Sequence, residues 1–581
     1  MAKLARLGVI WTPRLPTAWE ITVRETLDLL DGPFAAVTKS VCNGGYAFWL
    51  GSGISRDKVI GLDGVLAKLV EFLREKAAPN PAGSYGQALN AILAMAHPSD
   101  DEKAEIDLNK PAAAWKCLPS ILPRLWRQYS AVLATEIDGE RADHLLWDGL
   151  QFDVTFSSLE PDVEHLAIAI LALEGAVTEI ATPNWDGLIE AAMTQLGWPG
   201  DIFRITVTGE DLREPAKAQA TLYKFHGCAQ RAIAEPAKYR DLLVAREGQI
   251  ARWSVNDAFK IVREQLGALI QKSRAIVIGL SAQDSNIKHM FAEVGAHEGW
   301  KWDDVPTPIV ISAETLGQDH KTLLEVAYGD NYEPNRADIA ASARLRAYAK
   351  PLLIALVLQV ITEKLKTLLS DAQAPMLDAA AKDSLNLGLT HLRNLAAESG
   401  DADRAGLIRA IAGGISRTRY QLSDGISQPG SMKYYPLDTQ PANLMKDKQA
   451  LAATGQREAA VALGLIGLDV EAATWNVTVG DVSIAQTGAL NLSSTSSAAR
   501  VFLAVNDDAI GQLVDAGAFR EDDADVVVVC SRKVTAPQQR SPSGRYRDGT
   551  AEPRYVSLGP MLNGAKNLDD LRDAFRKEVA V

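Results

Sequence analysis

The chain has 581 residues, 47% hydrophobic and 23% charged, with a formal charge of −13 from 60 basic and 73 acidic side chains. That length suggests roughly two to four domains that bury their cores without staples, and the acidic balance argues against a broad electropositive nucleic-acid surface, though not against a local basic groove. Cys42, Cys117, Cys228 and Cys530 have neither zinc-knuckle nor Cys-x-x-Cys spacing and read as buried free thiols in a reducing cytoplasm.

The first six residues lack the apolar core of a signal peptide. Residues 352–361 are the most apolar stretch, too short to span a bilayer and soon followed by Glu363, Lys364 and Lys366, so a buried helix is expected there. Residues 1–40 read as a lead-in, with Val23, Leu27 and Leu30 at helical spacing until Gly32-Pro33. Ala47-Phe48-Trp49-Leu50 is of strand type and runs into Gly51-Ser52-Gly53-Ile54-Ser55. This is how a phosphate-binding turn reads: glycines bend sharply and let a ligand approach, and free N–H groups at the next helix start face an anion. The same turn also occurs in sheets with no ligand.

Residues 64–76 predict an amphipathic helix with Val65, Leu66, Leu69, Val70 and Leu73 on one face. Residues 78–175 read as a helical insertion, with helical patterns over 85–96 and 118–133. Its His97, His144 and His165 share no metal-ligand spacing and read as surface or core histidines. Strands are then expected at 176–182, 203–207, 222–225, 274–280 and 308–312, with helices over 188–196 and 255–272. Such alternation implies a parallel sheet covered on both faces, with ligands bound beyond the carboxyl ends of strands. From about 340 the texture changes: 340–369 and 374–412 are helical, 413–448 reads as a loop or linker, and 451–465 as a helix. A ribbon over 475–486, strands over 500–505, 526–530 and 555–558, and a helix over 568–579 suggest a small terminal α/β unit.

Four polar clusters occur in order at strand ends: Gly51-Ser52-Gly53-Ile54-Ser55, Thr182-Pro183-Asn184-Trp185-Asp186, Phe225-His226-Gly227, and Gly279-Leu280-Ser281-x-x-Asp284-x-Asn286-Ile287. Over roughly residues 40–315 the sequence resembles the sirtuin family, with its Gly-Ala-Gly-Ile-Ser, Thr-Gln-Asn-Ile-Asp, His-Gly and Gly-x-Ser patterns. It looks closest to the sirtuin-like domains of bacterial antiviral defence proteins. The expected fold is α/β: a parallel Rossmann-like sirtuin sheet with a helical insertion, then a helical region and a small C-terminal α/β unit. The expected divisions are a lead-in at 1–40, a catalytic domain at 41–340 with its insertion at 78–175, a helical region and linker at 341–448, and a sensor or docking domain at 449–581.

The resemblance implies that NAD+ is the substrate. Backbone N–H groups around Gly51, Ser52 and Gly53 would hold the pyrophosphate. Asn184 would hold the nicotinamide ribose and orient a water, and His226 would be the general base. Ser281 and Asp284 would take the adenosine ribose, with Ser55, Thr182, Asp186, Gly279 and Asn286 completing the site. The residues leave other roles open: Asp186 and Asn184 could cap the following helix, Asp284 could be a turn residue, Asn286 a cap, His226 a core histidine, and Trp185 a wall or packing residue.

The sequence departs from the deacylase pattern at Pro183, at Arg56 to Gly61, and in lacking four zinc cysteines, so no zinc is expected. These departures favour an NAD+ glycohydrolase that yields nicotinamide and ADP-ribose over a deacylase; the resemblance implies a cytoplasmic effector of abortive infection. A homo-oligomer and a HerA-family ATPase or short Argonaute partner are expected by analogy, with no membrane and no direct nucleic-acid binding. The alternatives are an NAD-dependent deacylase or ADP-ribosyltransferase, and a non-catalytic NAD or ADP-ribose sensor.

Overall fold

Tyr46-Ala47-Phe48-Trp49-Leu50 is buried at every position, which only a strand covered on both faces allows. In the computed structural model, which describes residues 16–157, 160–198, 202–213, 218–423, 433–481, 484–535 and 552–581, this stretch is the centre of a seven-stranded sheet. Its strands are β1 (Tyr46–Leu50), β2 (Glu179–Thr182), β3 (Phe203–Thr206), β4 (Ala220–Lys224), β5 (Arg274–Ile278), β6 (Ile309–Ser312) and β7 (Arg344–Leu345). They run parallel in the order β3-β4-β2-β1-β5-β6-β7. Trp49 sits beside Val277 of β5 and Ala181 of β2. The chain leaves β1 on one side and returns to β5 on the other, so the topological switch lies between them.

Alternate side chains go to opposite faces. Phe48, Leu50, Ile180, Leu222 and Ile276 face a core closed by the helices Val163–Leu173 and Ala349–Ser370. Ala47, Trp49, Ala181, Tyr223 and Val277 face the helices Lys260–Lys272 and Ser285–Glu298. Every residue of Val163–Leu173 is buried, as expected of a helix that is apolar all round beyond Glu164 and His165. The insertion packs on the helix Leu62–Ala77 in a separate core around Leu66, Leu69, Leu89, Trp115, Ile121 and Phe152.

Several expectations are corrected. The 118–133 helix breaks into Leu118–Leu125, a 3-10 turn and Tyr129–Leu133. The 340–369 helix is interrupted by β7, because Leu345 pairs with Ser312 at the sheet edge, and resumes as Ala349–Ser370. The 374–412 stretch forms two helices, Ala379–Glu398 and Arg404–Ser423. The second runs into the stretch read as a linker, and residues 433–440 of that stretch are docked: Tyr434 and Leu437 are buried. Tyr434 Oη and the Leu437 N–H donate to Glu174 Oε1 at 2.5 and 3.0 Å, and Lys364 Nζ donates to Glu174 Oε2 and Asp438 O at 2.6 and 2.5 Å. The beginning of the lead-in and the middle of the linker lie outside the described residues.

The C-terminal part carries β8 (Asn476–Val479), β9 (Leu490–Ser493), β10 (Ala498–Ala504), β11 (Val526–Cys530) and β12 (Arg554–Ser557). The order is β12-β11-β10-β9-β8, with β10 to β12 parallel and β8 to β10 antiparallel. Among the described residues, no helix is long and apolar enough to cross a membrane.

Candidate functional site

The glycine turn after β1 leans on the loop after β5. The N–H groups of Gly51 and Gly53 donate to Ile278 O at 3.0 Å and Gly279 O at 2.9 Å. A Cβ at Gly51 would fall 2.4 Å from Leu280 Cα, and one at Gly53 would fall 2.6 Å from Gly279 Cα. Glycine is therefore demanded here by backbone meeting backbone at the switch point. The two amides expected to face a pyrophosphate already have acceptors in the chain. Ser52 and Gly53 lie exposed on the open side of the turn, whereas Ser55 is buried.

The loop after β2 is shaped from within. Thr182 is fully buried, and its hydroxyl accepts the Asn184 N–H at 3.0 Å, so it holds the turn rather than facing a ligand. Asn184 itself is half-buried at the mouth of the sheet. Trp185 packs on Phe156 and Phe152 of the insertion, and its Nε1–H donates to His226 O at 3.0 Å. Asp186 takes the helix-start role: Oδ1 accepts the Leu188 N–H at 3.3 Å, while Oδ2 accepts from Ser55 Oγ at 3.1 Å. Beneath the loop, Lys224 at the end of β4 is only 1% exposed. Its ammonium donates to Asp186 O at 2.5 Å, Glu190 Oε1 at 2.6 Å and Trp185 O at 3.4 Å. Burial alone would lower its pKa, but Cys228, Glu190 and Asp186 outweigh it and keep the ammonium charged.

His226 follows β4 and is buried. Its Nε2 stands 3.0 Å from Asp284 Oδ2, an ion-pair contact without a directed hydrogen bond. Asp284 caps the helix Ser285–Glu298, its Oδ1 accepting the Asn286 N–H at 2.8 Å. Burial pushes the Asp284 carboxyl up, but His226, the Asn286 amide and Lys288 together hold it below its ordinary value. Tyr129 of the insertion stands close enough to feel this carboxylate: burial and the Asp284 charge raise its phenol. The Asn286 side chain is buried and donates to Ile250 O at 3.1 Å, neither a cap nor turned to the opening. Between Gly279 (φ +65) and Asp284, Ala282 sits at φ 55 with its methyl in the core, while Ser281 and Gln283 are exposed on either side of it.

The four loops thus form a closed ring of contacts at the carboxyl edge. Gly53 bonds Gly279 at 2.9 Å, Ser55 bonds Asp186 at 3.1 Å, Trp185 bonds His226 at 3.0 Å, and His226 meets Asp284 at 3.0 Å. The segment from β2 through these loops to the helix Gln318–Tyr328, residues 178–328, matches the family model described as SIR2-like domain. The chain carries a SIR2-like domain. Asn184, His226 and Asp284 fall inside the matched segment of that SIR2-like domain; the glycine turn precedes it and joins it through Gly279 and Asp186. A sirtuin-type, NAD-related function follows from the SIR2-like domain. No curated protein matches the chain. Among the described residues, no group of three or more His, Cys, Asp or Glu is arranged to hold a metal ion, and the four cysteines are free and buried.

Lys224 was not singled out from the sequence, and His165 was read there as a surface or core histidine; it lies in the core. His165 is fully buried in the first turn of Val163–Leu173, and its Nε2 lies 3.1 Å from Ser55 Oγ. The available signal was an ionisable pair, Glu164-His165, opening an otherwise apolar helix.

Proposed function

We propose that the chain is an NAD+ glycohydrolase, with Asn184 and His226 as its catalytic residues. The observation that carries this reading is the ring of four loops with an unsatisfied pair at its rim. His226 Nε2 and Asp284 Oδ2 are buried polar atoms with no hydrogen-bond partner among the described residues. A ribose hydroxyl satisfies both at once, accepting from the imidazole N–H and donating to the carboxylate. That fits a dinucleotide laid across the switch point, with its pyrophosphate against the exposed Ser52, the Gly53 N–H being taken by Gly279 O.

In this reading the C1′–N bond breaks and its electron pair leaves with nicotinamide. A water oxygen bonds C1′, and its proton passes along the ribose hydroxyl, held by the His226 Nε2–H, to the Asp284 carboxylate. Asn184 orients that water; its amide both donates and accepts. The oxocarbenium-like state is reached in a site partly screened from bulk water by the half-buried Trp185, packed on Phe152 and Phe156. The separate, buried cysteines leave no four-cysteine set for a zinc module beside an acyl-lysine cleft, which supports hydrolysis over deacylation.

We further propose that the activity serves abortive infection. It would be held off at rest and released by assembly of copies of this chain or by an ATPase or Argonaute partner docked on residues 341–581. The test is to incubate the full chain with NAD+, alone and with such partners, and to follow nicotinamide and ADP-ribose. Release that Asn184→Ala and His226→Ala abolish is the expected result. No nicotinamide under any condition overturns the hydrolase reading. Consumption only with an acyl-lysine peptide makes the chain a deacylase, and NAD+ binding without turnover makes it a sensor.

A further inference from the structure

Ser55, His165 and Asp186 meet beneath the site and, in composition, look like a nucleophilic triad. Their hydrogen bonds say otherwise. The Asp162 N–H donates to His165 Nδ1 at 3.1 Å. An N–H is only ever a donor, so Nδ1 must carry the lone pair, and a neutral imidazole then has its proton on Nε2. That proton points at Ser55 Oγ, 3.1 Å away. The Ser55 proton is left for Asp186 Oδ2, also at 3.1 Å. Every bond in the chain therefore runs one way: Asp162 amide to imidazole, imidazole to hydroxyl, hydroxyl to carboxylate. His165 has no lone pair with which to take the Ser55 proton, so Ser55 is not a nucleophile. Nor is its hydroxyl free for a phosphate.

The surroundings keep the imidazole neutral, as this direction requires. Burial pushes His165 down to about 4, with Lys58 and Lys350 adding to it and Asp162 and Glu190 opposing it. The three side chains come from three elements: the turn after β1, the start of the helix Val163–Leu173, and the loop after β2. Asp186 lies two residues beyond Asn184.

We propose that His165 is a positioning residue for NAD+ cleavage: fixed as the Nε2–H tautomer, it orders Ser55 and, through it, Asp186, and so sets the loop of Asn184 against the glycine turn. The inference rests on the hydrolase reading above. The same misplacement of Asn184 would leave the pyrophosphate side, against Ser52, intact. The loss then falls on turnover more than on binding.

The test compares His165→Gln, His165→Leu and Ser55→Ala in the full chain. A glutamine amide offers an N–H donor near the place of the imidazole Nε2; leucine offers none. His165→Leu and Ser55→Ala are expected to lower kcat by about ten- to a hundredfold with KM nearly unchanged, and His165→Gln to recover most of that loss. Combining His165→Leu with Ser55→Ala should add little to either alone, since both act through Asp186. Equal losses for Gln and Leu, or a loss confined to KM, overturn the inference. A second measurement does not depend on activity: the 15N spectrum of labelled histidine should show His165 as the neutral Nε2–H tautomer, unchanged between about pH 6 and 8. An Nδ1–H or charged ring overturns the inference even if the enzyme is active. If the wild-type chain releases no nicotinamide, the hydrolase reading fails. The spectrum then decides the relay by itself: a neutral Nε2–H ring in the wild-type chain supports it, and an Nδ1–H or charged ring sinks it.

Discussion

Lys224 holds its charge where almost no water reaches it, and it ties the loop after β2 to Glu190. Replacing it with methionine would strand Glu190 and take the Lys224 donor from the carbonyl of Asp186, while Trp185 O keeps the Ala229 N–H at 2.8 Å. Removing one partner of a buried pair costs about 3–5 kcal/mol, so Lys224→Met should lower the melting temperature sharply and abolish nicotinamide release. An unchanged melting curve would show that the pair contributes nothing. Glu164 behaves in the opposite sense. It is buried with Oε2 unpartnered, and burial, helped by Asp162 and Asp57 and opposed by Lys350, pushes it up to about 7. A carboxyl whose folded pKa lies above its unfolded value costs stability as pH rises between the two, and the full cost is present above the folded one. Glu164→Gln should therefore stabilise the protein by about 2–3 kcal/mol at pH 8 and by little at pH 4.5, as denaturant melts at the two pH values would read. Asn184 and His226 were legible because polar residues at the ends of apolar strands have few structural reasons to be there. Lys224 and the role of His165 were not: their partners lie far along the chain, and a strand lysine or a lone histidine carries no local signal of burial.

Among the elements, the turn after β1 was placed correctly, but its glycines answer to a second demand. Gly51 and Gly53 are needed to let β1 and β5 end side by side. Gly53→Ala would thus push on the Gly279 backbone and should cost roughly 1–3 kcal/mol in chemical denaturation, with NAD+ present or absent. A variant that keeps full stability and loses only NAD+ affinity would show that the glycine serves the ligand alone. The strands around the switch were legible to within a few residues, because fully buried strands read as unbroken apolar runs. β7 was not, since two residues inside a helical pattern have no periodicity, and only the free edge of β6 draws Leu345 into register. Residues 433–440 misled for a related reason. Their glycine- and proline-rich neighbourhood reads as linker, while the acceptor that captures Tyr434 and Leu437 is Glu174 in the opposite half of the chain.

At the scale of the whole molecule, the division of the chain near 340 suggested by composition cuts through a shared structure. The helix Ala349–Ser370 puts Leu352, Leu353, Leu356 and Val360 into the core under the parallel sheet, and its last turns put Leu368 and Leu369 into the core under the C-terminal one. Lys364 between them is fully buried on Glu174, which caps the helix bearing His165. A chain ending at residue 340 would expose the underside of the sheet and should be recovered only as aggregate. A soluble, monomeric fragment with an intact melt would refute that expectation. The longer consequence concerns how the molecule comes apart. A beam whose two ends lie in two cores cannot stay folded when either core melts, so the halves should lose structure together. Calorimetry of the full chain should give one endotherm, its measured and van't Hoff enthalpies in agreement. Two separated peaks would mean that the helix frays in its middle and the halves keep their own stabilities.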